Sequence, residues 1–254
     1  MLSKRHSEIM RMLSDEGTVT ISELASRLGV SLETVRRDVR PLTENGSVLK
    51  IHGAVGLAGQ VGEAPFQRRM RENANAKRRI AREMAGFIQD GDSVMLDTGT
   101  TTSFVARELL DHRRLTVVTN SSDIARTLAT INGNKVYMAG GELRSDSGAA
   151  FGVSAIDFIS KFSVAHAIIS AGAIDAGSGV MDFDLEEAEF ARMMLSRGER
   201  SYVVTDHSKF GRRGLVQVAG FEAIGRVVTD APANDEIAAA LEAQGAELTV
   251  AGGG

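Results

Sequence analysis

The chain contains no cysteine, which excludes disulfides, thiolate metal sites and a cysteine nucleophile, and fits a cytoplasmic protein. Its five histidines are scattered and never take the HExxH spacing, so a zinc enzyme is not expected and no metal site is assigned. No apolar run reaches the length of about 18 residues that a membrane span needs. The opening MLSKRHSEIM has no apolar signal core, so no secretion signal is expected. An excess of positive charge is also missing. The formal net charge is −4, so any nucleic-acid footprint has to be local.

What remains is the composition of an ordinary globular protein, 43 % hydrophobic and 24 % charged, long enough at 254 residues for one large or two modest domains. The first 56 or so residues read as short helices with tight turns. Ile21, Leu24, Ala25 and Leu28 form one helical face, Gly29 suits its stop, and Ser31 suits the cap of the next helix. Val35, Val39 and Leu42 repeat the inward spacing, and Ile9 with Leu13 supplies an earlier face. After Asn45-Gly46, SVLKIH reads as a strand and Gly53 as its turn. This is the order of a winged helix-turn-helix, placed at 1–57.

A charged helical stretch, FQRRMRENANAKRRIAREM, follows and gives a connector over 58–76 that leads into the second domain, 77–254. There, the runs SVMLD, LTVVTN, KVYMAG, AHAIISAG, SYVVTD, RVVTD and ELTVA alternate with helical segments. That alternation predicts a larger α/β, Rossmann-like domain with a mostly parallel sheet.

In the helix after Ser31, Val35, Val39 and Leu42 point one way while Glu33, Arg37 and Arg40 point the other, with Arg36 on the flank. A recognition helix needs such an apolar back and a cationic front. Arginine pairs bidentately with guanine, and hydroxyls such as Ser31 and Thr34 suit phosphate contacts. Lys50 and His52 on the wing are placed to touch the backbone. Residues 31–52 carry four Lys/Arg (Arg36, Arg37, Arg40, Lys50) against three Asp/Glu (Glu33, Asp38, Glu44). Charge alone therefore does not separate a DNA-reading helix from an exposed, salt-bridged one. Order and spacing favour double-stranded DNA as partner.

The stretch SELASRLGVSLETVRRDVRPLTENG…KIHG resembles the N-terminal signature of the DeoR family of bacterial transcriptional regulators, with TVRRD at its centre. It departs from the family in reading His52-Gly53-Ala54-Val55 where HGGA is usual. Pro41 also falls inside the recognition helix, where it is expected to bend or restart it.

The second notable stretch is LDTGTTTSF. Read as a loop between a strand ending at Leu96 and a helix starting at Ser103, it offers backbone N–H groups and hydroxyls at the positive end of a helix dipole. A helix cap would need one threonine, and three in succession exceed that need. There is no GxxxxGK[ST] and no GxGxxG, so neither a nucleoside triphosphate nor a dinucleotide is supported, and no cofactor is expected.

Resemblance to the family continues through LDTGTTT, TN (119–120), AGGELR, SAGAID and TDHSKFG. It implies an effector domain similar to ribose-5-phosphate isomerase that binds a phosphorylated sugar, a pentose phosphate being the first guess. Carried over, Thr98, Gly99, Thr100, Thr101 and Thr102 wrap the phosphate while Lys77 and Lys209 neutralise it. Asn120 and Ser121 reach sugar hydroxyls. Gly140, Gly141 and Gly172 let backbone approach the ligand, with a plain turn as the alternative for the first two. Asp97, Asp182, Glu186 and Glu187 are hydroxyl acceptors or, equally, helix-capping residues.

Aldose–ketose isomerisation needs a base and acids to move protons. Where the isomerases carry an acid-rich DGADE-type turn, this chain has Ser170-Ala171-Gly172-Ala173-Ile174, and only Asp175 follows. No catalytic residue is assigned, and a sensor is expected. The alternative is a sugar-phosphate isomerase with an appended DNA-binding module. The function implied is a repressor of a carbohydrate or opine catabolic operon, released from its operator by a phosphosugar. Half-site symmetry and the family imply a homodimer or homotetramer.

Overall fold

Apolar residues spaced three and four apart give the first helices their inner faces. In α1 (Lys4–Glu16) these are Ile9 and Leu13. After β1 (Thr18–Thr20), α2 (Ile21–Leu28) brings Leu24 and Ala25, and α3 (Leu32–Glu44) brings Val35, Val39 and Leu42. They join one core with Val19, Val48 and Val55. The computed structural model describes residues 4–51, 53–58 and 62–252. It divides into two compact units, Met1–Arg68 and Arg69–Gly254.

Local chemistry fixes the helix-turn-helix. A capping box starts α2, with the Thr20 hydroxyl accepting from Glu23 N and the Glu23 carboxylate accepting from Thr20 N. Gly29 ends it at φ 63°, a left-handed conformation that favours glycine. Ser31 Oγ then accepts from Thr34 N at 3.2 Å and starts α3. The helix runs through Pro41 to Glu44 without restarting. Proline removes only its own N–H, and here it lies on the exposed side, where water can satisfy the carbonyl it leaves unpaired. β2 (Val48–Ile51) and β3 (Ala54–Leu57) form an antiparallel hairpin, and β1 adds to β3. The short TVT strand was not evident in the sequence.

The charged stretch that follows is two helices rather than one. α4 (Phe66–Arg69) and α5 (Ala74–Ala85) are separated where Asn73 turns to φ 52°. In the second unit come β4 (Ser93–Leu96), α6 (Thr100–Glu108), β5 (Thr116–Thr119), α7 (Ser122–Leu128), β6 (Lys135–Met138) and α8 (Val153–Ser160). β7 (Val164–Ser170), β8 (Ala173–Asp175), β9 (Gly179–Asp182), α9 (Leu185–Arg197), β10 (Gly198–Val204) and β11 (Val216–Ala219) continue the chain. β12 (Arg226–Thr229), α10 (Asp235–Ala243) and β13 (Glu247–Val250) complete it.

All seven runs read as strands form one parallel sheet, in the order β13-β12-β10-β7-β4-β5-β6. Alternate residues of each strand face opposite layers. Met95, Val118, Ile169, Val203 and Val227 pack on one side with residues of α8, α9 and α10. Val94, Leu96, Val117, Ile168, Val204 and Val228 pack on the other with α5, α6 and α7. A small antiparallel sheet, β11-β9-β8, is an addition that sequence reasoning missed.

This order sets a switch point in the sheet. From β4 the chain steps through β5 and β6 to one side, then returns with β7 on the other. The region beyond the carboxyl ends of β4 and β7 is therefore the topological switch point, where open α/β sheets take their ligands.

Candidate functional site

On the first unit, the outer face of α3 and the hairpin border a groove of about 670 Å³, lined by Glu33, Arg36, Arg37, Arg40 and Lys50 among others. Glu33, Arg36, Arg37, Arg40 and Lys50 are all exposed. Arg36 lies 3.9 Å from Glu33, and Arg40 pairs with Glu44 at 2.8 Å. Arg37 makes no ion pair among the described residues, which leaves its fork of donors pointing outward from the middle of the face. The Ser31 and Thr34 hydroxyls lie 2.9 Å apart, and that of Ser31 caps the helix. His52 lies outside the described residues. Asp38, within TVRRD, serves the fold: its carboxylate accepts from Arg5 Nε of α1 at 2.5 Å. The sequence reading gave it no role, although its place on the inward flank of α3 was the available signal.

At the switch point of the second unit, the helix begins earlier than the sequence suggests. Thr100, Thr101 and Thr102 are the first turn of α6 rather than a loop, and Gly99 is its cap residue. A side chain at Gly99 would collide with Ser170 Oγ, 2.1 Å from where its Cβ would stand. Glycine therefore brings the helix start directly onto β7. It also leaves the N–H groups of the first turn without a side-chain cap. Those donors, together with the helix dipole, form an anion-seeking surface.

Around it, several buried polar atoms have no hydrogen-bond partner among the described residues: Asp97 Oδ1, Thr98 Oγ1, Ser103 Oγ and Asn120 Oδ1. Native interiors rarely tolerate such a group of orphans, and a ligand is one way to satisfy them. Asp97 Oδ2 accepts from Ser170 N at 2.8 Å and from Ser170 Oγ at 3.0 Å. Burial nevertheless dominates, and pushes the Asp97 carboxyl up to about 6 against the pull of the Ser170 and Thr102 hydrogen bonds and the Arg69 charge. Thr102 Oγ1 is turned back to the Asp97 and Gly99 carbonyls, at 3.0 and 3.1 Å.

Asn120 and Ser121 lie at the end of β5, beside the threonines. The segment after β6, which includes Gly140 and Gly141, folds back onto them. Asn120 Nδ2 donates to Ala150 O at 3.0 Å, Ala150 N returns a bond to Asn120 O at 3.0 Å, and Ser121 bridges Ala149. Lys77, expected to neutralise a phosphate, is only 4 % exposed and donates to Arg69 O at 2.6 Å. Lys209 lies in a short 3-10 turn after β10. Both lysines act on Asp206. Burial raises its pKa, but the Ser208 hydroxyl, the Lys77 charge, Asn73 and the Lys209 charge outweigh burial and hold it below the ordinary range. Asp206 and Asn73, 2.8 Å apart, were not picked from sequence, since they are separated by 133 positions.

The acidic candidates form a different set of contacts. Arg144 of AGGELR binds Asp184 at 2.8 Å, Glu186 at 2.6 Å and Glu187 at 2.9 Å, and its guanidinium stacks 4.2 Å over the Phe151 ring. Burial works against its charge, but the carboxylates prevail and raise its pKa. Asp182 Oδ1 accepts from Phe183 N and Asp184 N, and Gly172 packs against it, with a Cβ there 3.3 Å from Asp182 Cα. At the position of the isomerases' acidic turn, Asp175 Oδ1 accepts from Ser178 N at 2.9 Å.

A helix-turn-helix with outward-facing arginines places the chain among DNA-binding transcriptional regulators, and the α/β unit is where such a regulator takes its signal. The DeoR-like helix-turn-helix domain matches residues 5–61, and the DeoR C terminal sensor domain matches 72–231. The chain belongs to the DeoR family. It is 35 % identical to the glycerol-3-phosphate regulon repressor of Escherichia coli (strain K12), with 91 % of each chain covered. It is 36 % identical to the transcriptional repressor AccR of Agrobacterium fabrum, over 89 % of this chain and 88 % of that one. These relatives are repressors, not enzymes. The solved ribose 5-phosphate isomerase A of Methanocaldococcus jannaschii is similar over 54 % of this chain and 55 % of that one, at 16 % identity and a TM-score of 0.41. That likeness is too remote to bear on function.

Proposed function

We propose that the chain represses a carbohydrate or opine catabolic operon, binding its operator as a homodimer or homotetramer in the cytoplasm, and is released when a phosphorylated sugar occupies the second unit. The observation that carries this reading is the start of α6. Uncapped N–H groups, orphaned hydroxyls and two lysines gather at the carboxyl ends of the strands, a combination suited to a phosphate ester. Thr98 to Thr102 hold the phosphate and Lys77 and Lys209 neutralise it. Asp97 and Asn120, each with an unpaired oxygen, accept from the ligand's hydroxyls. Arg144 supports the reading by fastening the segment that bonds to Asn120 to the start of α9.

Transmission to DNA runs through consecutive residues. Arg68 donates to the carbonyl of Asn45, the residue that ends α3, and to Ser47 Oγ. The carbonyl of Arg69 accepts from Lys77 Nζ. A phosphate that draws Lys77 away from Arg69 releases the end of α4. Paired recognition helices then lose the arrangement that matches two half-sites about 34 Å apart.

A thermal-shift screen over phosphosugars tests the reading, followed by release of the full chain from its own promoter. Pentose phosphates come first, with triose, hexose and opine-derived phosphates and glycerol 3-phosphate beside them. A phosphorylated compound that both raises Tm and releases DNA is expected. Turnover of any of them in a coupled isomerase assay would instead support the catalytic alternative.

A further inference from the structure

Leu32 is the first residue of α3 and is 45 % exposed. An exposed leucine is ordinary by itself. This one stands one residue after the Ser31 cap and one turn before Arg36, which lines the groove along α3. Among the described residues it is not one of the side chains packed on the core of the first unit. The hydroxyls of Ser31 and Thr34 are engaged with each other at 2.9 Å. In the first turn, the large side chains held outward are therefore Leu32 and Glu33.

Residues at the start of a recognition helix reach base edges in the major groove. The one apolar feature there is the C5 methyl of thymine, which distinguishes it from every other base and is read by apolar contact. We infer that Leu32 is a specificity-determining residue that covers a thymine methyl in each half-site, beside the bases read by Arg36 and Arg37. This rests on the DNA-binding reading of α3. It adds a base preference that the arginines do not supply, since they pair with guanine.

Replacing thymine by uracil removes the methyl and keeps every hydrogen-bonding group. The test uses the full chain and a duplex that it selects from a random pool, with each thymine changed to uracil in turn and affinity measured at fixed salt. One position in each half-site should weaken binding about fourfold, the worth of one buried methyl-sized group. In Leu32→Ala the thymine and uracil duplexes should bind alike at that position, while the salt dependence, set by phosphate contacts, stays that of the unmodified chain. The inference is overturned if no uracil substitution matters, or if Leu32→Ala keeps the same sensitivity. Selection of no duplex at all, with no steep salt dependence, would instead overturn the DNA-binding reading and this inference with it.

Discussion

Burial lifts the Asp97 carboxyl to about 6, well above the 3.8 of an unperturbed aspartate. The folded state therefore keeps a proton that the unfolded chain gives up. The stability tied to that proton is fully present below about pH 4 and is lost as pH rises through about 6. Above that, an ionised, half-satisfied carboxylate is buried at a cost on the order of 3 kcal/mol. Asp97→Asn should consequently raise the urea midpoint at pH 7.5, with a gain that shrinks towards zero near pH 4. A gain independent of pH would contradict the burial argument. The same variant should respond less to the effector, because the amide oxygen is a weaker acceptor for a ligand hydroxyl than a carboxylate. A residue that weakens the fold and faces orphaned polar atoms marks a binding site more sharply than one that stabilises.

Among the elements, α3 carries the most separable prediction. Its cap and its outward face are distinct parts. Ser31→Ala should lower stability by about 1 kcal/mol through the lost cap, measured by denaturant unfolding. Arg37→Glu touches no ion pair among the described residues and should leave stability unchanged while abolishing operator binding in a gel shift. Ligand binding by the second unit should survive it. Unchanged gel-shift behaviour of Arg37→Glu would remove α3 as the recognition helix.

Legibility also varied by element. The seven parallel strands could be read because each is a buried run of apolar residues such as Val117-Val118 or Ile168-Ile169 between turn signals. The start of α6 could not, since threonine is a poor helix former and the close approach of Gly99 to Ser170 of β7 is a long-range contact. β8, β9 and β11 escaped notice as three- and four-residue pieces without clean alternation.

At the scale of the whole molecule, what the sequence did not disclose is long-range pairing. Nothing local announces that Arg144 meets carboxylates some forty residues away, that Lys77 is buried against Arg69, or that Arg68 holds the end of α3. Under the transmission proposed above, the last two of these pairings are where the signal would pass. If Arg68 and Arg69 carry it, Arg68→Ala should bind operator and effector separately with near-normal affinity, yet release DNA poorly when the effector is added. Normal release by Arg68→Ala would place the coupling elsewhere.

The most direct measurement is the anisotropy of a labelled operator duplex bound by the full chain. It is titrated with the phosphosugar found by thermal shift and, separately, with the same sugar lacking its phosphate. Only the phosphorylated compound should release the duplex, and Lys209→Ala should need at least about tenfold more of it, as expected for losing one charged hydrogen bond, with DNA affinity unchanged. Equal release by the two sugars, or by Lys209→Ala and the unmodified chain at the same concentration, would contradict a phosphate grip at the start of α6.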